Sequence, residues 1–273
     1  MTTTLNISED FYSVQCEGIT TGVPSYFIRL ALCNMYCGSS QKTLNAIRKG
    51  LDTGKMLVPE KGASWVCDSI PVWLKGNEKE YNYVLSRWLD EGVYWDIIKG
   101  HVHVIWTGGE PCLIKNQNAI TGFLDYIKKV LSPVCDELRI KYAIFNEIET
   151  NGTIVIKSEL FAHLNQINCS PKLPNSGMAK NKRIVPDAIS RIMEHENYQF
   201  KFVISNEDDI RQMFLEYINP FKIPQDRVVC MPGMEKQDQF FERTKWVLEM
   251  AKKYKFRGLT RLHIAAYNQV TGV

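Results

Sequence analysis

The feature that most constrains this chain is a regular exchange of short β-type runs for helix-type runs. Residues 26–32 (YFIRLAL), 101–106 (HVHVIW), 142–148, 200–205, 227–231 and 259–265 are short, apolar and rich in β-branched or aromatic side chains, and they read as strands. Between and around them, residues 80–91 (EYNYVLSRWLDE), 119–131, 186–194, 209–218 and 240–254 carry apolar residues at helical spacing. Repeated β-then-α order implies a parallel sheet with helices outside it. About six such units are too few for an eight-unit barrel, so a partial barrel or an open sheet is expected. Residues 38–66 break the rhythm with a helix-like piece, 41–50, and a Gly/Pro/Lys-rich loop (GKMLVPEKGAS). They read as an inserted, partly ordered segment. No linker or repeat divides the chain, so residues 1–273 are expected to form one domain.

Charge narrows the function classes. Thirty-three basic against 30 acidic residues leave a net charge of +3, which gives no electrostatic case for nucleic-acid binding. The opening MTTTLNISEDFY has neither the basic nor the apolar region of a signal peptide. The longest membrane candidate, residues 26–37, is interrupted by Arg29. A cytoplasmic protein with no membrane partner is expected. There its eight cysteines should be free, metal-bound or catalytic rather than disulfide-bonded. Cys112, Cys135 and Cys230 stand alone beside apolar residues and read as small buried hydrophobes.

Parallel α/β architectures build their sites from the loops after the strands' C-terminal ends. Here those loops hold Cys33-Asn34-Met35-Tyr36-Cys37, Thr107-Gly108-Gly109-Glu110-Pro111, Glu149-Thr150-Asn151-Gly152-Thr153, Ser170-Pro171-Lys172 and Ser205-Asn206. Two thiolates at this spacing can serve one metal centre, and iron–sulfur clusters are held by thiolates alone. Paired glycines after a strand either let a ligand approach the backbone or form a plain turn.

The ordered set of motifs resembles the 7-carboxy-7-deazaguanine synthase (QueE) family of the radical S-adenosylmethionine (SAM) superfamily. Phe11-Tyr12-Ser13-Val14-Gln15-Cys16-Glu17-Gly18 is similar to the family's FYSxQGEG opening. Phe27-Ile28-Arg29-Leu30 with Cys33-Asn34-Met35-Tyr36-Cys37 is similar to FxRLxGCNxxC, and Cys67-Asp68-Ser69 with Trp73 to CDT plus tryptophan. TGGEP, ETNGT and SPK follow in order, and Arg261-Leu262-His263 resembles the family's C-terminal strand with its histidine. The family's usual cluster motif is Cys-x3-Cys-x2-Cys, and the third position in that register is Ser40. Either the cluster is lost, or the third ligand is displaced across the insertion to give Cys33-x3-Cys37-x29-Cys67. The second reading is preferred, because Cys67 carries the expected downstream residues. Cys16 and Leu32 stand where the family has glycine.

The resemblance implies a partial (β/α)6-type TIM barrel. It implies a lyase that converts 6-carboxy-5,6,7,8-tetrahydropterin to 7-carboxy-7-deazaguanine with loss of ammonia. The cofactors implied are a [4Fe–4S] cluster on Cys33, Cys37 and Cys67, SAM, and Mg²⁺ on Ser69. Substrate contacts fall on Val14, Gln15, Cys16, Glu17, Arg29, Thr107 and His263. Arg29, whose planar fork suits a carboxylate, is assigned to the substrate carboxylate. SAM contacts fall on Val66, Gly109, Glu149, Ser170, Pro171, Lys172, Ser205 and Asn206. An electron donor such as flavodoxin or ferredoxin and a homodimer are implied as partners. Two alternatives stay open on the sequence: another small radical SAM enzyme, such as a glycyl-radical activase, and a cluster-less binding protein, which Ser40 keeps alive.

Overall fold

Strands from one end of the chain to the other join a single sheet in the computed structural model, which describes residues 3–50, 58–233, 237–268, 270 and 272. Part of the Gly/Pro/Lys-rich loop, residues 51–57, lies outside the described residues. The strands are β1 (Thr4–Val14), β2 (Pro24–Leu30), β3 (Asn77–Glu80), β4 (His103–Gly108), β5 (Asn146–Thr150), β6 (Gln166–Cys169), β7 (Tyr198–Ile204), β8 (Val228–Pro232) and β9 (Arg257–Gly258). Their order is β3-β1-β2-β4-β5-β6-β7-β8-β9. The sheet is parallel from β2 to β9, and β1 runs antiparallel to both β2 and β3.

Side-chain alternation gives the sheet two unlike faces. On the outer face Tyr26, Ile28, Val104, Trp106, Ile148, Ile167, Phe200 and Phe202 are buried in one apolar core with the helices. Trp106 and Trp88 meet Phe123 edge-on, at 5.7 and 5.9 Å between ring centres. Each such side chain contributes about 1.5–3 kcal/mol by leaving water, so this face holds the helices to the sheet. The inner face carries polar side chains beside a small apolar cluster of Phe11, Phe27 and Ile105. The register pairs Arg29 with Thr107, Glu149 with Asn168, and Asn168 with Gln199.

Buried polar groups need partners, and the inner face supplies them. Glu147 accepts from Thr20 Oγ1 and Asn168 Nδ2, both at 2.9 Å, and its other oxygen lies 2.5 Å from His103 Nδ1. Gln199 Nε2 donates to Asn168 Oδ1 at 2.6 Å. The turn after β1 folds across this face. A Cβ at Gly18 would lie 2.3 Å from Gln199 Nε2, and Leu262 N–H donates to the Cys16 carbonyl at 3.2 Å. Sequence-distant ends of the sheet thus meet over its inner face, in a partial barrel rather than a flat sheet.

Some expected elements differ. Residues 259–265 do not form a strand: β9 ends at Gly258, and Leu262–Tyr267 is a helix with Ile264 turned inward. A short apolar run does not separate the two periods, and here the helix wins. Arg261 and His263 therefore sit at a helix N-terminus. The helix expected over 119–131 spans Ile114–Leu138 and continues through Pro133. The helix expected over 209–218 starts at Glu207 and turns into a π-helical segment, Phe214–Ile218. The strands β1, β3 and β6 have no counterpart among the expected elements. Within the insertion, Gln41–Arg48 is a helix. Cys112, Cys135 and Cys230 are buried in the apolar core.

Candidate active site

The chain leaves β2 through Leu32, a non-glycine residue at φ +72°, where a side chain is ordinarily costly. Its ends are fixed: Leu32 N–H donates to Trp73 O at 2.8 Å, and Leu32 O accepts from Glu110 N–H at 2.8 Å. Gly109 N–H donates to Leu30 O at 2.9 Å. A Cβ on Gly109 would fall 1.8 Å from Leu32 O, and one on Gly108 would fall 2.4 Å from Leu30 N. The atoms that press on these glycines are the chain's own backbone, so the cysteine loop itself needs them.

Buried side chains tie the loops together. Glu110 is inaccessible to solvent. It accepts from Cys112 N–H, Thr150 Oγ1 and Asn151 N–H, each at 2.8 Å. Asn34 donates to Thr153 Oγ1 at 2.8 Å and accepts from Asn151 Nδ2 at 2.9 Å. Beyond β6, Lys172 O accepts from Tyr217 Oη at 2.9 Å and from Arg183 Nη1 at 3.3 Å, and Glu216 clamps the Arg183 fork from the other side.

Cys33, Cys37 and Cys67 line one cavity of about 680 Å³. The insertion returns to its start, since Cys67 N–H donates to Cys37 O at 3.1 Å. Ser40 is not in the cavity wall. It caps the Gln41–Arg48 helix, accepting from Thr43 N–H at 3.3 Å. Burial raises all three thiols, and the Glu110 charge adds to this at Cys33. Cys37 is pushed up to about 12. Among the described residues no three His, Cys, Asp or Glu side chains gather as they would around a single metal ion. Three thiols facing a shared hollow suit a cluster instead, whose ligands each take a different iron.

The same cavity also has a charged lining, which Arg261 joins to the cysteine loop through Asp68 at 2.8 Å. Glu17 pairs with Lys201 Nζ at 3.2 Å and Arg261 Nε at 3.0 Å, with His263 Nδ1 at 4.0 Å. Burial works against the Glu17 charge, but Lys201, Arg261 and His263 outweigh it and hold the carboxyl well below its usual range. Glu149 accepts from Lys201 Nζ at 3.1 Å, Thr107 Oγ1 at 2.8 Å and Gln15 Nε2 at 3.4 Å. Burial lowers His263, against the pull of Glu17. Arg29 is steadied by Glu9 at 3.1 Å and lies 5.2 Å over the Phe11 ring. Burial and Glu17 push the Cys16 thiol up to about 11.

Of the residues expected at the site, Val14, Gln15, Cys16, Glu17, Arg29, Cys33, Cys37, Val66, Cys67, Ser69, Thr107, Gly109, Glu149, Ser170, Lys172 and His263 all line this cavity. Pro171, Ser205 and Asn206 do not. Asn206 caps the helix Glu207–Met213, and Ser205 N–H donates to Asp209 Oδ2 at 2.8 Å. Sequence reasoning misses Lys201, Arg261 and Asp68 as site residues, although all three line the cavity. The Lys201 signal is present in the sequence: a single cation inside a mainly apolar strand, YQFKFVI.

No protein-family model matches the chain. Curated proteins do. A 7-carboxy-7-deazaguanine synthase of Pyrobaculum aerophilum is 26% identical over 269 residues, covering 98% of this chain and 97% of its own. The Aquifex aeolicus enzyme of the same name is 26% identical over 265 residues, covering 96% and 93%. The crystal structure of QueE from Escherichia coli superposes with a TM-score of 0.54 at 20% identity, covering 94% of this chain and 93% of that one. Over nearly its whole length the chain is similar to the 7-carboxy-7-deazaguanine synthases.

Proposed function

We propose that this chain is a radical SAM lyase that converts 6-carboxy-5,6,7,8-tetrahydropterin to 7-carboxy-7-deazaguanine with loss of ammonia. The observation that carries the reading is one cavity lined by Cys33, Cys37 and Cys67 together with Glu17, Glu149, Lys201 and Arg29. When bound, a reduced [4Fe–4S] cluster with SAM would supply radical chemistry directed at C6 of the pterin. The chain's part is to place and shield the reactants.

Cys33, Cys37 and Cys67 would hold the cluster through their thiolates. Val66, Gly109, Glu149, Ser170 and Lys172 would hold SAM. Pro171, Ser205 and Asn206 stand outside the cavity lining and would support it only indirectly, Asn206 as the cap of the Glu207–Met213 helix and Ser205 through its N–H on Asp209. Arg29, braced by Glu9 and Phe11, receives the substrate carboxylate through its fork. Val14, Gln15 and Cys16 meet the pterin edge, with Glu17, Thr107 and His263 completing the polar rim. Ser69, whose hydroxyl donates to Asp68 at 3.0 Å, lies in the same wall and supplies an oxygen ligand to Mg²⁺.

The enzyme acts in the cytosol, where its eight cysteines remain free thiols until a cluster is built. No helix among the described residues is long and apolar enough to cross a membrane. A low-potential protein such as flavodoxin or ferredoxin delivers electrons, residues 1–273 act as one domain, and the working unit is a homodimer. Anaerobic incubation of the reconstituted protein with SAM, reductant and the carboxypterin should yield the deazaguanine acid by mass spectrometry. SAM cleavage that leaves this pterin unchanged contradicts the assignment and favours an activase.

A further inference from the structure

The charged wall turns on a residue in the middle of β7. The Lys201 side chain is 3% exposed, and its Nζ lies 3.2 Å from Glu17 Oε2 and 3.1 Å from Glu149 Oε1. The two carboxylates come from different parts of the fold. Glu17 belongs to the turn after β1, and Glu149 to the end of β5. Each has another fixed partner, Arg261 on Glu17 at 3.0 Å and Thr107 on Glu149 at 2.8 Å. The turn also passes near the lysine stem: a Cβ added at Gly18 would lie 3.5 Å from Lys201 Cδ.

Burying an ammonium is unfavourable unless it is fully paired, and an apolar side chain of the same length would fill the space without that penalty. Stability alone therefore gives weak reason for a cation here. Geometry gives a stronger one, because a single point charge can hold two carboxylates from separate elements at one fixed separation.

We propose that Lys201 is a positioning residue. It bridges Glu17 to Glu149 and so sets the 14–18 turn, with Gln15 and Cys16, against the end of β5 at the spacing that receives the substrate. The identity of that substrate rests on the functional reading above; the bridge does not.

The experiment compares the parent chain with Lys201→Met, which keeps the stem and removes the charge, and Lys201→Arg, which keeps a cation. Two readouts are taken. The first is amide hydrogen exchange at Gln15 and Gly22, whose N–H groups donate to Val23 O and Gln15 O at 2.8 Å each. The second is steady-state kinetics with the carboxypterin. In Lys201→Met these amides should exchange at least about tenfold faster while β4 amides are unchanged. KM for the pterin should rise about tenfold or more with a smaller change in kcat. Lys201→Arg should recover part of both. Parent-like exchange and KM in Lys201→Met overturn the proposal. If Lys201→Met does not fold, the double variant Glu17→Gln, Glu149→Gln removes both partners, and the same amides must then exchange faster; unchanged exchange overturns the proposal. Faster exchange in a chain whose parent does not turn over the pterin supports the bridge while refuting the functional reading.

Discussion

Alanine at Gly109 should destabilise the protein even when no cluster or SAM is present. The added Cβ would sit 1.8 Å from Leu32 O, 2.4 Å from Leu32 C and 3.1 Å from Cys33 N. All three are backbone atoms, so no side-chain rotation relieves the clash. Overpacking of this kind costs about 1–3 kcal/mol. Separating the two backbones also weakens Gly109 N–H to Leu30 O and Glu110 N–H to Leu32 O, each worth about 0.5–1.5 kcal/mol. The sum is about 2–6 kcal/mol, a large share of the roughly 5–15 kcal/mol that holds a domain folded. Gly92→Ala is the control. Gly92 has φ +71°, and a methyl added there would meet nothing within 4 Å, so it carries a conformational penalty alone, about 1–2 kcal/mol. Urea unfolding of the cluster-free proteins, followed by circular dichroism, measures both. A Gly109→Ala loss no larger than that of Gly92→Ala would refute the packing argument and return the glycine to a ligand-binding role.

Three further outcomes follow from the site. Cys67→Ala should abolish the reconstituted cluster, whereas Ser40→Ala should keep full iron and sulfide content and lose only its helix cap, about 1 kcal/mol of stability; a full cluster in Cys67→Ala would exclude it as a ligand. Glu17 titrates below the usual 4.5 in the fold, so its stabilisation is complete above that pH and is lost as pH falls through the lower folded value. Urea midpoints of Glu17→Gln and the parent should therefore differ at pH 7 and converge in acid, and a gap that widens in acid reverses the sign. Ser69→Ala should lower the Mg²⁺-stimulated rate; an unchanged Mg²⁺ response removes Ser69 from the metal.

The outer face of the sheet is legible in the sequence because it is built from apolar runs such as HVHVIW and from helices with one apolar side. The inner face is harder to read. In QINC and NEIET buried polar residues interrupt the apolar pattern, so β6 is hidden and β5 begins later than its apolar run suggests. Lys201 is easily passed over for the same reason, as a lone charge in a strand whose neighbours are core. The cysteine loops are legible as motifs, but their meeting is not a local property. Cys67 reaches Cys37 because the insertion doubles back, with Glu60 N–H on Gly38 O at 2.9 Å and Ser64 N–H on Asn175 O at 2.9 Å. Ser40 carries a readable signal of its own, since a serine before a helix-forming run is a common N-cap. Residues 259–265 mislead because LHIAAY suits either period until Ile264 is known to point inward.

The central claim is that this cavity brings C6 of a carboxypterin to the radical generated from SAM. The most direct measurement uses substrate carrying deuterium at C6, incubated anaerobically with the reconstituted protein, SAM and reductant. Deuterium should appear in the 5′-deoxyadenosine formed, together with 7-carboxy-7-deazaguanine. Unlabelled 5′-deoxyadenosine, with the deuterated pterin recovered intact, would contradict the account.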